Sequence, residues 1–328
     1  MTRYILMKRI NGIIGNKLLS IMQSKIKYRL NFRHDYYYGK KHNYNDNYVV
    51  FIIDDKTIHG GLSDRLRGLL STYHYCLKKN KKLIVNWSYP FELSEYLKIN
   101  TTKAEYGGYL SHNLNEVSFR FFNSYSFMND DEESYFKLLD SSKPITHVYS
   151  NVTLHEELFC KHFNELFTPT ERIADAIRKC QNEINGKYIS VAFRFIGLLG
   201  DFNDTFSTGI TLSDEQKTEY MEHCLNAIRK LHEQHKNISK ILVTADSNLF
   251  LSYVSNIPYI YIVPGIVTHM DGKESSSQDK TFLDFFMISK AEYCYCYKYG
   301  KMFGSTKFAR TAALIGGKTI KDITDDDF

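Results

Sequence analysis

An apolar run, Tyr48-Val49-Val50-Phe51-Ile52-Ile53, leads to His59-Gly60-Gly61-Leu62-Ser63-Asp64-Arg65-Leu66-Arg67-Gly68 and then to a helix-like stretch ending at Lys79. A second apolar run, Lys82 to Trp87, follows at once. Strand, helix and strand at this spacing favour parallel pairing, because the helix carries the chain back to the edge where it started. Glycines at the strand-to-helix turn let the backbone approach a ligand closely. The helix start beyond them offers free N–H groups and the positive end of a dipole to an anion. Arg65 and Arg67 add fixed positive charge. The segment reads as a receiver of something negatively charged.

The alternation continues down the chain. Helical spacing is predicted over 154–167 and over 171–184, the second opened by Pro169. A strand is predicted at 188–193, a helix at 214–235, a strand at 240–244, a helix at 247–255 and a strand at 259–263. Helix 283–291, strand 293–296 and helix 307–315 complete the pattern. Residues 100–150 are poorly patterned and are expected to shape an acceptor pocket with loops and short strands. A chain of 328 residues exceeds the usual single domain. The reading is an α/β protein of two Rossmann-like domains: a basic tail and linker over 1–47, an N-terminal domain over 48–168 and a C-terminal domain over 169–328.

Charge is unevenly placed. Residues 1–42 hold ten basic residues and one acidic, while the other 286 carry a net −4. A nucleic-acid enzyme needs its basic footprint across the folded surface, so that class and a nucleic-acid partner are not expected. The tail interleaves apolar residues with Lys8, Arg9, Lys17, Lys25, Lys27 and Arg29. That pattern suits either peripheral contact with an anionic membrane or an ordinary first helix packed on the body. No apolar run approaches the roughly 20 residues that cross a bilayer, and the basic residues break up any secretory signal. The six cysteines form no CxxC pair, and Cys294-x-Cys296 alone is weak evidence for metal. A cytoplasmic protein without disulfides is the expectation, placed at most peripherally at the inner face of a membrane.

Open α/β sheets bind ligands beyond the carboxyl ends of their strands. Besides the glycine turn, three segments fall there. Arg194 ends the strand at 188–193 and is followed by Asp201. Its planar fork suits a phosphate oxygen pair, and an internal salt bridge to Asp201 is the alternative. Asp246-Ser247 ends another strand, where it could meet a base or ribose or simply cap a helix. Gly304-Ser305-Thr306-Lys307, running on to Arg310, could cradle a phosphate or, again, cap a helix. His269-x-Asp271 is a further loop pair. Walker, G-x-S-x-G, H-E-x-x-H and G-x-G-x-x-G signatures are all lacking, which removes P-loop, hydrolase, zincin and dinucleotide classes.

Together these segments resemble the GT-B fucosyltransferase superfamily, which includes α1,2-, α1,6- and protein O-fucosyltransferases. His59-Gly60-Gly61-Leu62-Ser63-Asp64-Arg65-Leu66-Arg67-Gly68 is similar to the family's N-terminal glycine turn. Val191-Ala192-Phe193-Arg194 with Gly200-Asp201-Phe202 is similar to its V-H-x-R…D motif, and Thr244-Ala245-Asp246-Ser247 to its T-D-S/D strand end near the guanosine. Asp284 to Ser289 with Ser305-Thr306-Lys307-Phe308-Ala309-Arg310 resembles its closing segment. Ala192 stands where the family has histidine, and Phe195 where it has a second arginine.

The resemblance implies two Rossmann-like domains with parallel sheets facing across a cleft. It implies metal-independent, inverting transfer, with no cofactor, of fucose from GDP-fucose to a glycan or lipid-linked acceptor in surface polysaccharide synthesis. Arg194 would hold the β-phosphate, helped by Ser305 and Thr306, with Gly60 and Gly61 closing from the first domain. Asp64 and His59 are the base candidates. Arg65, Arg67, Asp201, Asp246, Ser247, His269, Asp284, Lys307 and Arg310 complete the expected substrate-binding set. A GT-B transferase of another nucleotide sugar, and a non-catalytic nucleotide- or glycan-binding protein, remain the alternatives.

Overall fold

A computed structural model describes residues 35–57, 59–122, 131–201, 212–267, 275–304 and 306–328, with 275–277 by backbone alone. The tail up to residue 34, His269 with Asp271, and Ser305 lie outside the described residues.

The first lobe begins with β1 (Tyr48–Ile53), α1 (Leu62–Lys79) and β2 (Lys82–Trp87). Short strands β3 (Leu97–Ile99) and β4 (Ala104–Tyr106) follow, then β5 (Val117–Phe122), α2 (Glu132–Leu139) and β6 (Ile145–Ser150). Its sheet has the order β4-β2-β1-β6-β5, and every pairing is parallel. β1 is buried on both sides, which is why it reads as an unbroken apolar run. One face packs on α1 through Leu66, Leu69, Leu70 and Tyr73. The other, carrying Val50, Ile52, Ile84 and Val117, is covered by aromatic side chains, Tyr36, Tyr44, Tyr109 and Phe119 among them.

A connecting region holds α3 (Phe159–Leu166), β7 (Phe167–Pro169) and α4 (Glu171–Ile184). β7 pairs antiparallel with β3. Pro169 therefore closes a strand instead of opening the helix, and Thr170 is the N-cap of α4.

The second lobe runs β8 (Tyr188–Phe193), α5 (Asp214–Gln234), β9 (Lys240–Ala245), α6 (Asn248–Val254) and β10 (Ile260–Tyr261). It ends with α7 (Ser275–Lys290), β11 (Cys294–Tyr297), α8 (Lys307–Ile315) and β12 (Ile320–Ile323). Its sheet order is β10-β9-β8-β11-β12, again parallel throughout. All six cysteines are free, and Cys294 and Cys296 point together into one core.

The lobes share apolar surface. Tyr96 stacks on Phe282 with ring centroids 4.2 Å apart, and Phe163 meets Phe286. α8 lies against both α1 and α3. No described helix is long and apolar enough to cross a membrane.

Candidate functional site

In each lobe the sheet grows outward from one strand in both directions. β1 has β2 on one side and β6 on the other, and β8 has β9 on one side and β11 on the other. Loops leaving such neighbours diverge, and the crevice between them is where open parallel sheets take ligands. The glycine turn leaves β1, and Arg194 leaves β8.

Asp54 follows β1 and is buried. One oxygen accepts from the Tyr109 hydroxyl at 2.6 Å and the Tyr149 hydroxyl at 2.8 Å, and the other accepts from the Lys56 amide at 3.0 Å. Burial pushes its pKa up, but hydrogen bonds from His59, Tyr109, Tyr149 and Lys56 outweigh that and hold it below the usual carboxylate value. Sequence reasoning gave Asp54 no such role, because its partners lie far along the chain. His59 turns back into the same loop. Its Nε2 lies 2.9 Å from the Asp54 carbonyl and 2.9 Å from Thr57 Oγ1, and its ring stacks on Tyr149. His59 braces the turn through its Nε2.

Gly60 has φ of 77°, and a Cβ there would lie 2.8 Å from Asp64 Oδ2. Conformation and space both demand glycine. Gly61 is the N-cap of α1 with no side-chain cap, and a Cβ there would meet nothing within 4 Å. Among the described residues, none closes off the helix start.

Arg65 lies in the first turns of α1. It is buried, donating from Nε to the Gly60 carbonyl at 2.9 Å and from a terminal nitrogen to the Tyr89 carbonyl at 2.7 Å, over the Trp87 ring. It ties the glycine turn to the loop after β2 and supports the site from behind. Arg67 is buried too and pairs with Glu156, while its Nε–H has no hydrogen-bond partner among the described residues. Burial lowers the pKa of its guanidinium; Asp64 opposes that shift, and Arg310 from the other lobe adds to it.

In the second lobe Arg194 Nε lies 3.4 Å from Asp246 Oδ2, with 31% of the Arg194 side chain exposed. Among the described residues, Asp246 and not Asp201 meets Arg194. Asp246 also accepts from the Phe195 and Ile196 amides at 2.7 and 2.9 Å, fixing the turn that carries Arg194. Burial raises its pKa against the pull of Arg194 and these amides. Asp201 caps α6 instead, accepting from Ser247 Oγ at 3.0 Å and the Leu249 amide at 2.7 Å, while Ser247 Oγ accepts from the Phe250 amide. Asp246 and Ser247 both build the loops around Arg194, and Ser247 caps α6, the capping alternative read from the sequence.

The Phe303 amide donates to the Arg194 carbonyl at 3.0 Å, which sets Phe303 beside Arg194. Thr306 caps α8 by accepting from the Ala309 amide at 3.3 Å. Phe303 is 54% exposed beside Arg194, a ring that sequence reasoning missed because exposure leaves no local signal.

Asp284 lies elsewhere. It is buried, 3.2 Å from Lys280 Nζ, which donates to the Val263 carbonyl at 2.7 Å. Burial raises its pKa even beside Lys280. The pair anchors the loop after β10, so Asp284 is a packing residue and not a phosphate ligand. Asp284→Asn is expected to cost about 3 kcal/mol by leaving a buried ammonium short of its counter-charge. GDP affinity should move by less than about twofold, about 0.4 kcal/mol. Thermal melts and calorimetry check both.

The lobes meet through these segments. Lys307 Nζ is 3.4 Å from Asp64 Oδ1, and Arg310 is 2.8 Å from Asp322 Oδ2. An exposed pair of this kind contributes little stability. Its meaning is positional: the start of α8 stands opposite the start of α1.

No protein-family model matches the sequence, and no curated protein does. Solved structures do. The fucosyltransferase NodZ from Bradyrhizobium shares 17% identity, with 83% of this chain and 94% of that one covered and a TM-score of 0.51. NodZ alpha-1,6-fucosyltransferase soaked with GDP-fucose shares 16%, covering 83% and 93%, at 0.50. A mutant of Arabidopsis thaliana FUT1 in complex with GDP shares 12%, covering 91% and 74%, at 0.52. This chain therefore has the GT-B fold of these fucosyltransferases.

Proposed function

We propose that the chain is an inverting fucosyltransferase that takes GDP-fucose as donor and a glycan or lipid-linked glycan as acceptor. One observation carries the reading: Lys307 at the start of α8 lies 3.4 Å from Asp64 in the first turn of α1, so the helix start at Gly61 faces the segment that follows Phe303, the residue hydrogen-bonded to Arg194. Cleaving a glycosyl–phosphate bond builds negative charge on the departing diphosphate, and preorganised cations and amides stabilise it. Arg194 and the start of α8 serve that charge from the second lobe, and Arg67 with the Gly60–Gly61 turn from the first. The acceptor oxygen attacks the anomeric carbon as the bond to the β-phosphate oxygen breaks. Asp64, half-exposed at the junction, takes the acceptor's proton. The fold neighbours solved with GDP-fucose and GDP support this donor. The basic charge of residues 1–42 suits an acceptor presented on an anionic membrane, as in surface polysaccharide synthesis.

Calorimetry with GDP and UDP tests the donor. GDP is expected to bind at least about tenfold tighter, about 1.4 kcal/mol. UDP binding with no GDP binding would transfer the reading to another nucleotide sugar. A second reading, a nucleotide-binding module without transfer, is favoured by Ala192 and by the Arg194–Asp246 pair. GDP binding without GDP release from GDP-fucose across a panel of glycan acceptors would establish it.

A further inference from the structure

Away from the lobe junction, three side chains from separate parts of the first lobe aim at one point. His74 lies on α1 ten residues past Asp64, about 15 Å along the helix axis. Glu132 opens α2, and His155 stands in the loop after β6. Glu132 Oε2 is 3.0 Å from His74 Nε2 and 2.6 Å from His155 Nε2. One ligand atom from each of the three lies within 4.8 Å of the others. The second nitrogen of each imidazole is also held: His74 Nδ1 is 3.0 Å from His162 Nε2, and His155 Nδ1 is 2.9 Å from Glu157 Oε1. His74 and His162 are buried, whereas Glu132 and His155 are half-exposed.

Two neutral imidazoles and a carboxylate converging on one point form the donor set that selects zinc among common divalent ions. Partners on the outer ring nitrogens are what fixes the tautomer and direction of metal-bound histidines. Ligands of a tetrahedral zinc stand about 3.3 Å apart, so the two Glu132 separations of 3.0 and 2.6 Å would open by less than 1 Å, with all three ligand atoms already within 4.8 Å. We infer that His74, His155 and Glu132 form a zinc site on the first lobe, with water in the fourth position. The ion would tie α1, α2 and the 151–158 loop together. Glu156, the partner of Arg67, follows His155 directly, so the ion would also steady the carboxylate behind the lobe junction. The sequence hid the site because its ligands stand 58 and 23 residues apart.

The full chain, stripped with chelator and dialysed, should be titrated with Zn²⁺ by calorimetry and with Co²⁺ by visible absorption. One equivalent of Zn²⁺ is expected to bind with micromolar or better affinity, raising Tm by about 5 °C at a hundredfold excess over Kd. The Co²⁺ form should show d–d bands without a thiolate charge-transfer band. His155→Ala and Glu132→Gln should each weaken binding at least about tenfold, with GDP affinity unchanged. That separates failure of the metal site from failure of the donor reading. The proposal is overturned by absence of saturable binding, by a thiolate band, which would put the ion on cysteine, or by affinity unchanged in both variants.

Discussion

Arg194→Lys is expected to weaken GDP binding by about 10- to 100-fold, the loss of one charge-assisted, two-pronged contact worth about 1.5–3 kcal/mol. The substitution keeps a positive charge beside Asp246, so the turn that Asp246 holds through the Phe195 and Ile196 amides is retained. Only the planar fork is lost, and an ammonium cannot reproduce it. Calorimetry with GDP reads the effect, and a melting temperature within a few degrees of the parent shows that the lobe is intact. Near-parental affinity in a folded variant would place the diphosphate away from β8. Turnover should fall at least as far, because the diphosphate carries more charge as it leaves than in the ground state.

Gly68→Ala should destabilise the first lobe by about 3 kcal/mol, lowering Tm by about 10 °C. In an exposed helix the same change would help by about 1 kcal/mol. Here a Cβ at residue 68 would stand 2.0 Å from the Ser150 carbonyl oxygen and 2.7 Å from its carbon. Those atoms are backbone at the end of a buried strand and cannot swing aside. α1 must then lift off the sheet, loosening Leu66, Leu69 and Tyr73, which are fully buried. The uncapped start of α1 would move with it, so GDP affinity should drop as well. Gly61→Ala is the control, since a Cβ there meets open space; its Tm should stay close to the parent's. A Gly68→Ala protein as stable as the parent would mean that α1 rides farther from β6 than described.

Much of the framework was legible in the chain. β1, β2 and β8 are apolar runs because both of their faces are covered, and α8 begins and ends at the residues its periodicity predicts. The region 100–150 resisted reading. β5 carries Ser118 and Arg120 among its apolar residues, and, among the described residues, the sheet face it helps form is covered by aromatic side chains from distant segments. The candidate site was legible as segments and misread in its parts. Arg65 and Arg194 look alike as cations near glycine-containing turns, yet one is buried and donates to two backbone carbonyls while the other meets a buried aspartate with part of its side chain in solvent.

Local pattern by itself determined the alternation of strands and helices, the glycine turn at the head of α1 and the placing of Arg194 at a strand tip, because periodicity and glycine conformation act over a few neighbouring residues. Which cations face the lobe junction, which carboxylates merely cap a helix, and that His74, Glu132 and His155 meet at all were decided only by tertiary structure. A charged group's role depends on what desolvates and pairs with it, and here those partners come from residues scores of positions away.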